Sequence, residues 1–222
     1  MAEHLIIAID GPAGAGKTTI GRMLARELGL LYIDTGSMYR AVALAVIESG
    51  TNETDDVTVG VLAERIDIDL AGDPDSLHVT LDERDVTERI RDEDVTDMSS
   101  IISTIPAVRR AMVRRQRELG RRGAVMNGRD IGTVVFPAAD FKFFLTATPE
   151  ARAERRLAEE RQLNPAATFK ETLADMTERD ARDSMRADSP LVAASDAVVL
   201  DTTGVPIDEV LQLMMREIKR RG

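Results

Sequence analysis

Apolar positions along this 222-residue chain switch between two periods, and the switches mark its elements. Leu5-Ile6-Ile7-Ala8-Ile9 is a continuous apolar run, which predicts a parallel strand buried on both faces. From Thr19 to Leu28 the period is helical, with Ile20, Met23, Leu24 and Leu28 on one face. Leu30 to Ile33 predicts a short second strand that ends at Asp34-Thr35-Gly36. The helix expected after it carries Met38, Ala41, Val42, Ala45 and Val46 at three-to-four spacing, and Thr51 to Asp56 is a polar break. From about Leu62 to Ile90 the period falls to two. Ile66, Ile68 and Leu70 alternate with acids, and Leu77, Val79 and Leu81 alternate again beyond the turn-forming Gly72-Asp73-Pro74. That pattern predicts half-exposed antiparallel strands. Asp82-Glu83-Arg84-Asp85 reads as a tight turn into a third strand near Val86.

Downstream the helical period returns. Pro106 opens a helix through Val108, Met112 and Leu119, with proline suited to the first turn. Ala124-Val125-Met126 predicts a strand ended by Asn127-Gly128-Arg129-Asp130, and Phe141 to Leu145 predicts another. Thr148 can cap a helix with Pro149 and Glu150 in its first turn, running to about Arg161, where Asn164-Pro165 breaks the pattern. A further helix is expected from Phe169 to Met185, a last strand from Ala197 to Leu200, and a final helix with Ile207, Val210, Leu211, Met214 and Ile218 on one face. Five strands alternating with helices predict an α/β fold around a five-stranded parallel sheet. Residues 62–104 would form an antiparallel β insert, and residues 1–61 and 105–222 the core.

Composition narrows the class. Hydrophobic residues at 43% suffice for a core, while aromatics at 3% and no tryptophan make that core aliphatic. The absence of cysteine excludes disulfides and thiol chemistry. No apolar run approaches a membrane span and no signal peptide is seen, so no membrane contact and a cytoplasmic location are expected. A net charge of −10 argues against a nucleic-acid polymer as partner. Among the basic residues are 25 arginines and only four lysines, and arginine grips phosphate with two parallel hydrogen bonds.

Gly11-Pro12-Ala13-Gly14-Ala15-Gly16-Lys17-Thr18 then fixes the chemistry. It matches the G-x-x-x-x-G-K-[ST] phosphate-binding loop, and it lies between a predicted strand and a predicted helix, as that motif requires. Glycines let backbone N–H groups curl around a phosphate, and the helix N-terminus adds partial positive charge. Lys17 would reach the β and γ phosphates of ATP, and the Thr18 hydroxyl would join the shell of a Mg²⁺ ion.

Three further constellations stand at strand ends or on late helices. Arg40 lies in the first turn after Asp34, placed to meet a second phosphate or to sit idle on a capped helix. Arg129 and Asp130 are flanked by Gly128 and Gly132, which suggests close approach to a ligand. Arg152, Arg155 and Arg156 cluster in one helical turn, and Arg179, Arg182 and Arg186 share a face of the next helix. Such a hairpin, spanning about 149–186, would make a lid over polyphosphate. On spacing alone the interleaved Glu154, Glu159, Glu160 and Glu178 favour a salt-bridged helical hairpin; with a phosphate site in the chain the lid becomes the better reading.

Taken together these residues resemble the bacterial cytidylate kinases of the nucleoside monophosphate kinase group. The likeness runs through Ile9-Asp10-Gly11-Pro12, Asp34-Thr35-Gly36 with Tyr39-Arg40, Gly128-Arg129-Asp130-Ile131-Gly132-Thr133-Val134-Val135-Phe136-Pro137, and Glu178-Arg179-Asp180 with Arg182-Asp183 and Arg186. The resemblance implies a P-loop kinase that phosphorylates CMP and dCMP with ATP and Mg²⁺, acting as a monomer. It implies that Gly11, Pro12, Ala13, Gly14, Ala15, Gly16, Lys17, Thr18 and Thr19 hold the ATP phosphates. Thr35, Arg40, Arg129 and Arg186 would surround the monophosphate, Ser100, Arg109 and Asp130 would read the cytosine edge, and Arg179 and Asp183 would meet the sugar hydroxyls. Arg152, Arg155 or Arg156 would reach the transferring phosphoryl group. Thr18 departs from the Gly or Ser that relatives often carry after the lysine, but keeps a hydroxyl for the metal. Ser99-Ser100, read as part of a loop, offers two hydroxyls for one role.

Other P-loop kinases with UMP, AMP, shikimate or a pantothenate-type acceptor share this core; Arg109, Asp130 and the insert argue against them. A GTP-binding switch would need an Asn-Lys-x-Asp guanine motif, and the chain has none.

Overall fold

The computed structural model describes residues 4–162, 164–186 and 188–221. Five parallel strands form the central sheet: β1 (Ile6–Asp10), β2 (Leu31–Asp34), β6 (Ala124–Asn127), β7 (Phe141–Thr146) and β8 (Val198–Asp201), in the order β2-β6-β1-β7-β8. β1 and β6 at its centre are almost wholly buried, which is why their sequences run apolar without alternation. The sheet is flanked by α1 (Lys17–Leu28), α2 (Thr35–Ser49), α5 (Pro106–Gly120), α6 (Pro149–Glu160), α7 (Phe169–Ser184) and α8 (Ile207–Arg221). Ile7, Ile9, Ile20, Leu24, Ile33 and Phe143 form the heart of an almost entirely aliphatic core; burying each such side chain contributes about 2 kcal/mol.

Register aligns the strand ends. Asp34 pairs with Asn127, Ile9 with Asn127, and Asp10 with Phe144. Each pairing is parallel, so the segments that leave β1, β2, β6 and β7 emerge on one edge of the sheet. Ligands of open α/β sheets bind at that edge.

The three-stranded antiparallel sheet is also present: β3 (Ile68–Ala71), β4 (His78–Leu81) and β5 (Arg84–Asp85). Its second turn is tighter than expected. Asp82 and Glu83 both take positive φ, 48° and 66°, the geometry of a two-residue hairpin loop, so Arg84 and Asp85 are already strand.

Two helices depart from the expectation. α3 (Asp56–Arg65) fills what read as the start of the β insert, capped by the Asp55 carboxylate, which accepts the Thr58 N–H. Its three valines, threonine and glycine are weak helix formers, and tertiary packing against α5 overrides them. α4 (Glu93–Ile102) carries Ser99 and Ser100, which were expected in a loop. It is short and rich in β-branched residues, so its sequence periodicity is faint.

Candidate active site

The phosphate loop is built by backbone. Gly11 has φ +144° and its Cβ would lie 2.0 Å from the Leu145 carbonyl oxygen, so no side chain fits. Gly16, at φ +87°, is the N-cap of α1, and no side chain caps that helix. Its first N–H groups are therefore free to meet an anion. Lys17 folds back and donates from Nζ to the Pro12 carbonyl at 2.6 Å. Burial, together with the positive charges of Arg129 and Arg179, pulls its pKa well below the ordinary lysine value.

α6 and the segment after β8 grip the outside of this loop. Arg152 Nη1 donates to the Ala13 carbonyl at 3.1 Å and to Asp180 of α7 at 2.5 Å. Arg155 donates to the Gly14 carbonyl at 3.3 Å and to Thr202. Arg156 differs from both: it pairs with Glu160 at 2.9 Å and Glu159 at 3.4 Å. Of the three arginines on this turn, Arg152 and Arg155 bond the loop and Arg156 is held in an ion pair of its own helix. Thr19 is exposed.

Thr18 meets the opposite wall. Its Oγ1 accepts from Asn127 Nδ2 at 3.3 Å, while the Thr35 hydroxyl donates to the Asn127 backbone carbonyl at 2.8 Å. Asn127 thus touches both halves of the cleft, and its own Oδ1 is buried without a hydrogen-bond partner among the described residues. Asp34 caps α2, accepting the Gly36 N–H at 3.0 Å and the Ser37 hydroxyl at 3.0 Å, and it reaches Arg40 at 3.4 Å. Arg40 also donates to Ser37 at 2.8 Å.

Beyond Thr35 the cleft is lined by paired charge. Arg109 and Asp130 form a buried ion pair at 2.5 Å, with side chains 3% and 6% exposed. Arg109 also donates to the Ser103 carbonyl at 3.2 Å and lies over the Tyr39 ring. Asp183 is bound by Arg129 at 2.9 Å and by Arg186. Burial alone would raise the Asp183 pKa, but Arg129, Arg186 and Arg179 hold it below the usual carboxylate range. Arg186 further donates to the Ser103 hydroxyl at 2.7 Å. Arg179 has no ion pair among the described residues; burial, then the repulsion of Arg129 and Arg40, lowers its pKa to about 10. Crowded guanidiniums of this kind are relieved by an anion between them.

Several buried polar atoms around this cleft have no partner among the described residues: Ser100 Oγ, Tyr39 Oη, Arg40 Nε, Arg109 Nε and Arg186 Nε. Buried polar groups are normally satisfied, so their concentration here fits a polar ligand. The two adjacent serines now separate. Ser99 Oγ donates to the Thr96 carbonyl at 2.7 Å, which leaves Ser100 as the hydroxyl with hydrogen-bonding capacity to spare.

Sequence reasoning brought together most of these residues but missed others. Ser103 lies at the cleft and carried no signal beyond polar identity, while Asp180 and Asn127 fell within motifs but were given no role. Tyr39 and Asp10 stood inside motifs without a role. Among the described residues no cluster of His, Asp or Glu could hold a metal by itself. A Mg²⁺ ion would take one protein ligand, the Thr18 hydroxyl, and fill its shell from phosphates and water.

A family model described as cytidylate kinase matches residues 7–220. The cytidylate kinase of Desulforamulus reducens is 48% identical over 222 residues, 99% of each chain. That of Solibacter usitatus is 48% identical over 222 residues, covering 99% of this chain and 94% of its own. Among solved structures, an uncharacterized protein from Eubacterium ventriosum aligns with 98% of this chain and 99% of its own at a TM-score of 0.54 and 12% identity, a likeness of fold alone.

Proposed function

The chain belongs to the cytidylate kinase family and is a kinase of nucleoside monophosphates; from that premise we propose that it moves the γ-phosphoryl group of ATP to CMP and dCMP, giving CDP and dCDP. The observation that carries cytosine is the buried Arg109–Asp130 pair beside the unpartnered Ser100 hydroxyl. Cytosine presents an exocyclic amine where uracil presents a carbonyl oxygen. The Asp130 carboxylate accepts from the amine and repels the carbonyl, so the wrong base sets an oxygen lone pair against a buried carboxylate and loses a hydrogen bond.

The transfer itself needs no general base. An anionic oxygen of the CMP phosphate attacks the γ-phosphorus, the bond from that phosphorus to the β–γ bridging oxygen breaks, and ADP leaves with the electron pair. Two mutually repelling anions must be held in line and the charge between them neutralised. Arg40, Arg129 and Arg186 with Thr35 hold the monophosphate, and Arg179 and Asp183 take the sugar hydroxyls. Lys17 leaves the Pro12 carbonyl for the phosphates, whose charge restores its proton affinity. Arg152 and Arg155, already against the loop, supply positive charge to the transferring group as the hairpin 149–186 closes and excludes water. Mg²⁺, held by Thr18, neutralises charge on the ATP phosphates when bound. Residues 62–104, the insert that resembles the family's enlarged monophosphate-binding region, would contribute Ser100 to the acceptor side of the cleft. We further propose that the enzyme acts as a monomer. No described helix is long and apolar enough to cross a membrane, and we place the enzyme in the cytoplasm with its nucleotide substrates.

The test is ADP formation from Mg·ATP with CMP, dCMP, UMP, AMP, GMP, shikimate and no acceptor. Rapid turnover with CMP and dCMP and far slower turnover with UMP is expected. Equal turnover with UMP would remove the cytosine reading, and preference for another acceptor would replace it.

A further inference from the structure

Asp10 closes β1, directly before the phosphate loop, yet its carboxylate points to the other half of the cleft. The Ile131 N–H donates to Oδ1 and the Gly132 N–H to Oδ2, each at 2.8 Å. Those two N–H groups open a π-helical turn, Ile131–Val135, which begins immediately after Asp130. The far end of the turn is tied as well: Arg117 donates to the Val135 carbonyl at 2.9 Å and the Val134 carbonyl at 2.7 Å. The Val134 and Val135 N–H groups return to the Asp130 carbonyl at 2.8 and 3.1 Å.

The Asp130 backbone is therefore fixed from its C-terminal side by one carboxylate on the central strand of the sheet. That strand cannot drift, because it pairs with both β6 and β7. Gly132 stands in van der Waals range of the carboxylate, and the tighter neighbour at this point is the Lys142 side chain. A Cβ on Gly132 would lie 3.4 Å from Asp10 Oδ2 and 3.1 Å from Lys142 Cδ. Asp10 is buried and carries a cost for its charge, with its pKa raised to about 6 mainly by desolvation. Keeping an ionised group there is explained by the two backbone bonds it accepts.

We propose that Asp10 is a positioning residue for acceptor specificity: through the Ile131 and Gly132 N–H groups it sets where the Asp130 carboxylate stands against Arg109, and so sets the discrimination between cytosine and uracil. The inference rests on the reading of Asp130 as the base-sensing group. It also makes the end of the ATP-binding strand the reference point for the nucleoside pocket, so the donor and acceptor halves share one anchor.

Asp10→Asn is the informative variant, since it keeps shape but can accept only one of the two N–H groups. Losing one charge-assisted bond corresponds to about a ten-fold effect. The expected result is an about ten-fold fall in the CMP-over-UMP ratio of kcat/KM, carried by a higher KM for CMP, with the KM for ATP unchanged. A residue of purely structural importance would instead lower kcat with every acceptor and disturb ATP as well; that outcome, or an unchanged ratio, overturns the proposal. Should Asp10→Asn yield no soluble protein, Asp10→Glu keeps both acceptor oxygens but carries them one methylene further from β1, and there an unchanged ratio overturns it. The wild-type enzyme is measured alongside. Absence of a cytosine preference in wild type refutes the Asp130 reading, whereas a preference that survives Asp10→Asn refutes the role of Asp10 alone.

Discussion

The two halves of this cleft are made in different ways. The proposed donor half is one contiguous stretch, residues 11–19, shaped by its backbone: glycines at positive φ and an uncapped helix start. The acceptor half is made of side chains from five separate places: Arg40 on α2, Ser100 on α4, Arg109 on α5, Arg129 and Asp130 after β6, and Arg179, Asp183 and Arg186 at the end of α7. Lys17 apart, a site built of backbone would tolerate side-chain change so long as its glycines stay, and it would suit a group common to every nucleoside triphosphate. A side-chain site costs buried charge, and in return it can tell one base from another.

The sharpest way to separate the halves is Lys17→Ala. Turnover should fall by about 10³-fold, because a charge aimed at the transferring phosphoryl group is lost. CMP binding, measured by calorimetry, should stay close to wild type. A matching loss of CMP affinity would mean that the halves are not separable in this way.

The converse variant is Asp130→Asn, which removes the acceptor-side charge while keeping its volume. Alanine would be a poorer choice, since it strands the Arg109 guanidinium in a buried site. The CMP-over-UMP ratio of kcat/KM should fall by about 10²-fold with ATP kinetics intact. An unchanged ratio would move base recognition away from this pair.

How much of each half was legible in the sequence follows from this difference. The phosphate loop was readable in full, because local spacing and local chemistry are the same thing there. The strands and the long helices were readable for the same reason. α3 and α4 were not: their helical form depends on partners distant in sequence, and valine, threonine and glycine hide it. Arg109 and Asp130 are 21 residues apart in the chain and meet only through the fold; only the family resemblance joined them beforehand. Asp10 and Asn127 stood inside legible motifs, but their roles could not be read, since what matters about them is which backbone groups and hydroxyls they face.

The lid arginines sharpen the comparison at its seam. Arg152→Ala removes a side chain that bonds both the phosphate loop and α7, so turnover should fall by at least about ten-fold. Arg156→Ala removes half-exposed i,i+3 and i,i+4 pairs, and turnover should stay within about a factor of three. Steady-state rates at saturating CMP check both. The reverse order would put the reactive arginine in the ion-paired position.

The smallest effect concerns Asp10, where the halves meet. Its folded pKa, about 6, lies above the ordinary 3.8 of an unfolded chain, chiefly because burial disfavours the charge. The folded state therefore binds the Asp10 proton more tightly than the unfolded state does. The resulting stability is fully present below about pH 3.8 and is lost as pH rises through about 6. Asp10→Asn cannot titrate, so the difference in unfolding free energy between the two proteins cancels the distant groups and reports the Asp10 proton together with its coupling to the neighbouring Lys17. Between pH 7.5 and pH 5 the wild type should gain about 1 kcal/mol on the variant in urea unfolding without nucleotide. A difference that is flat across that range would mean the Asp10 carboxylate is not desolvated. Its two backbone bonds would then be held in water, and the shared anchor between the donor and acceptor pockets would be far softer than its buried geometry implies.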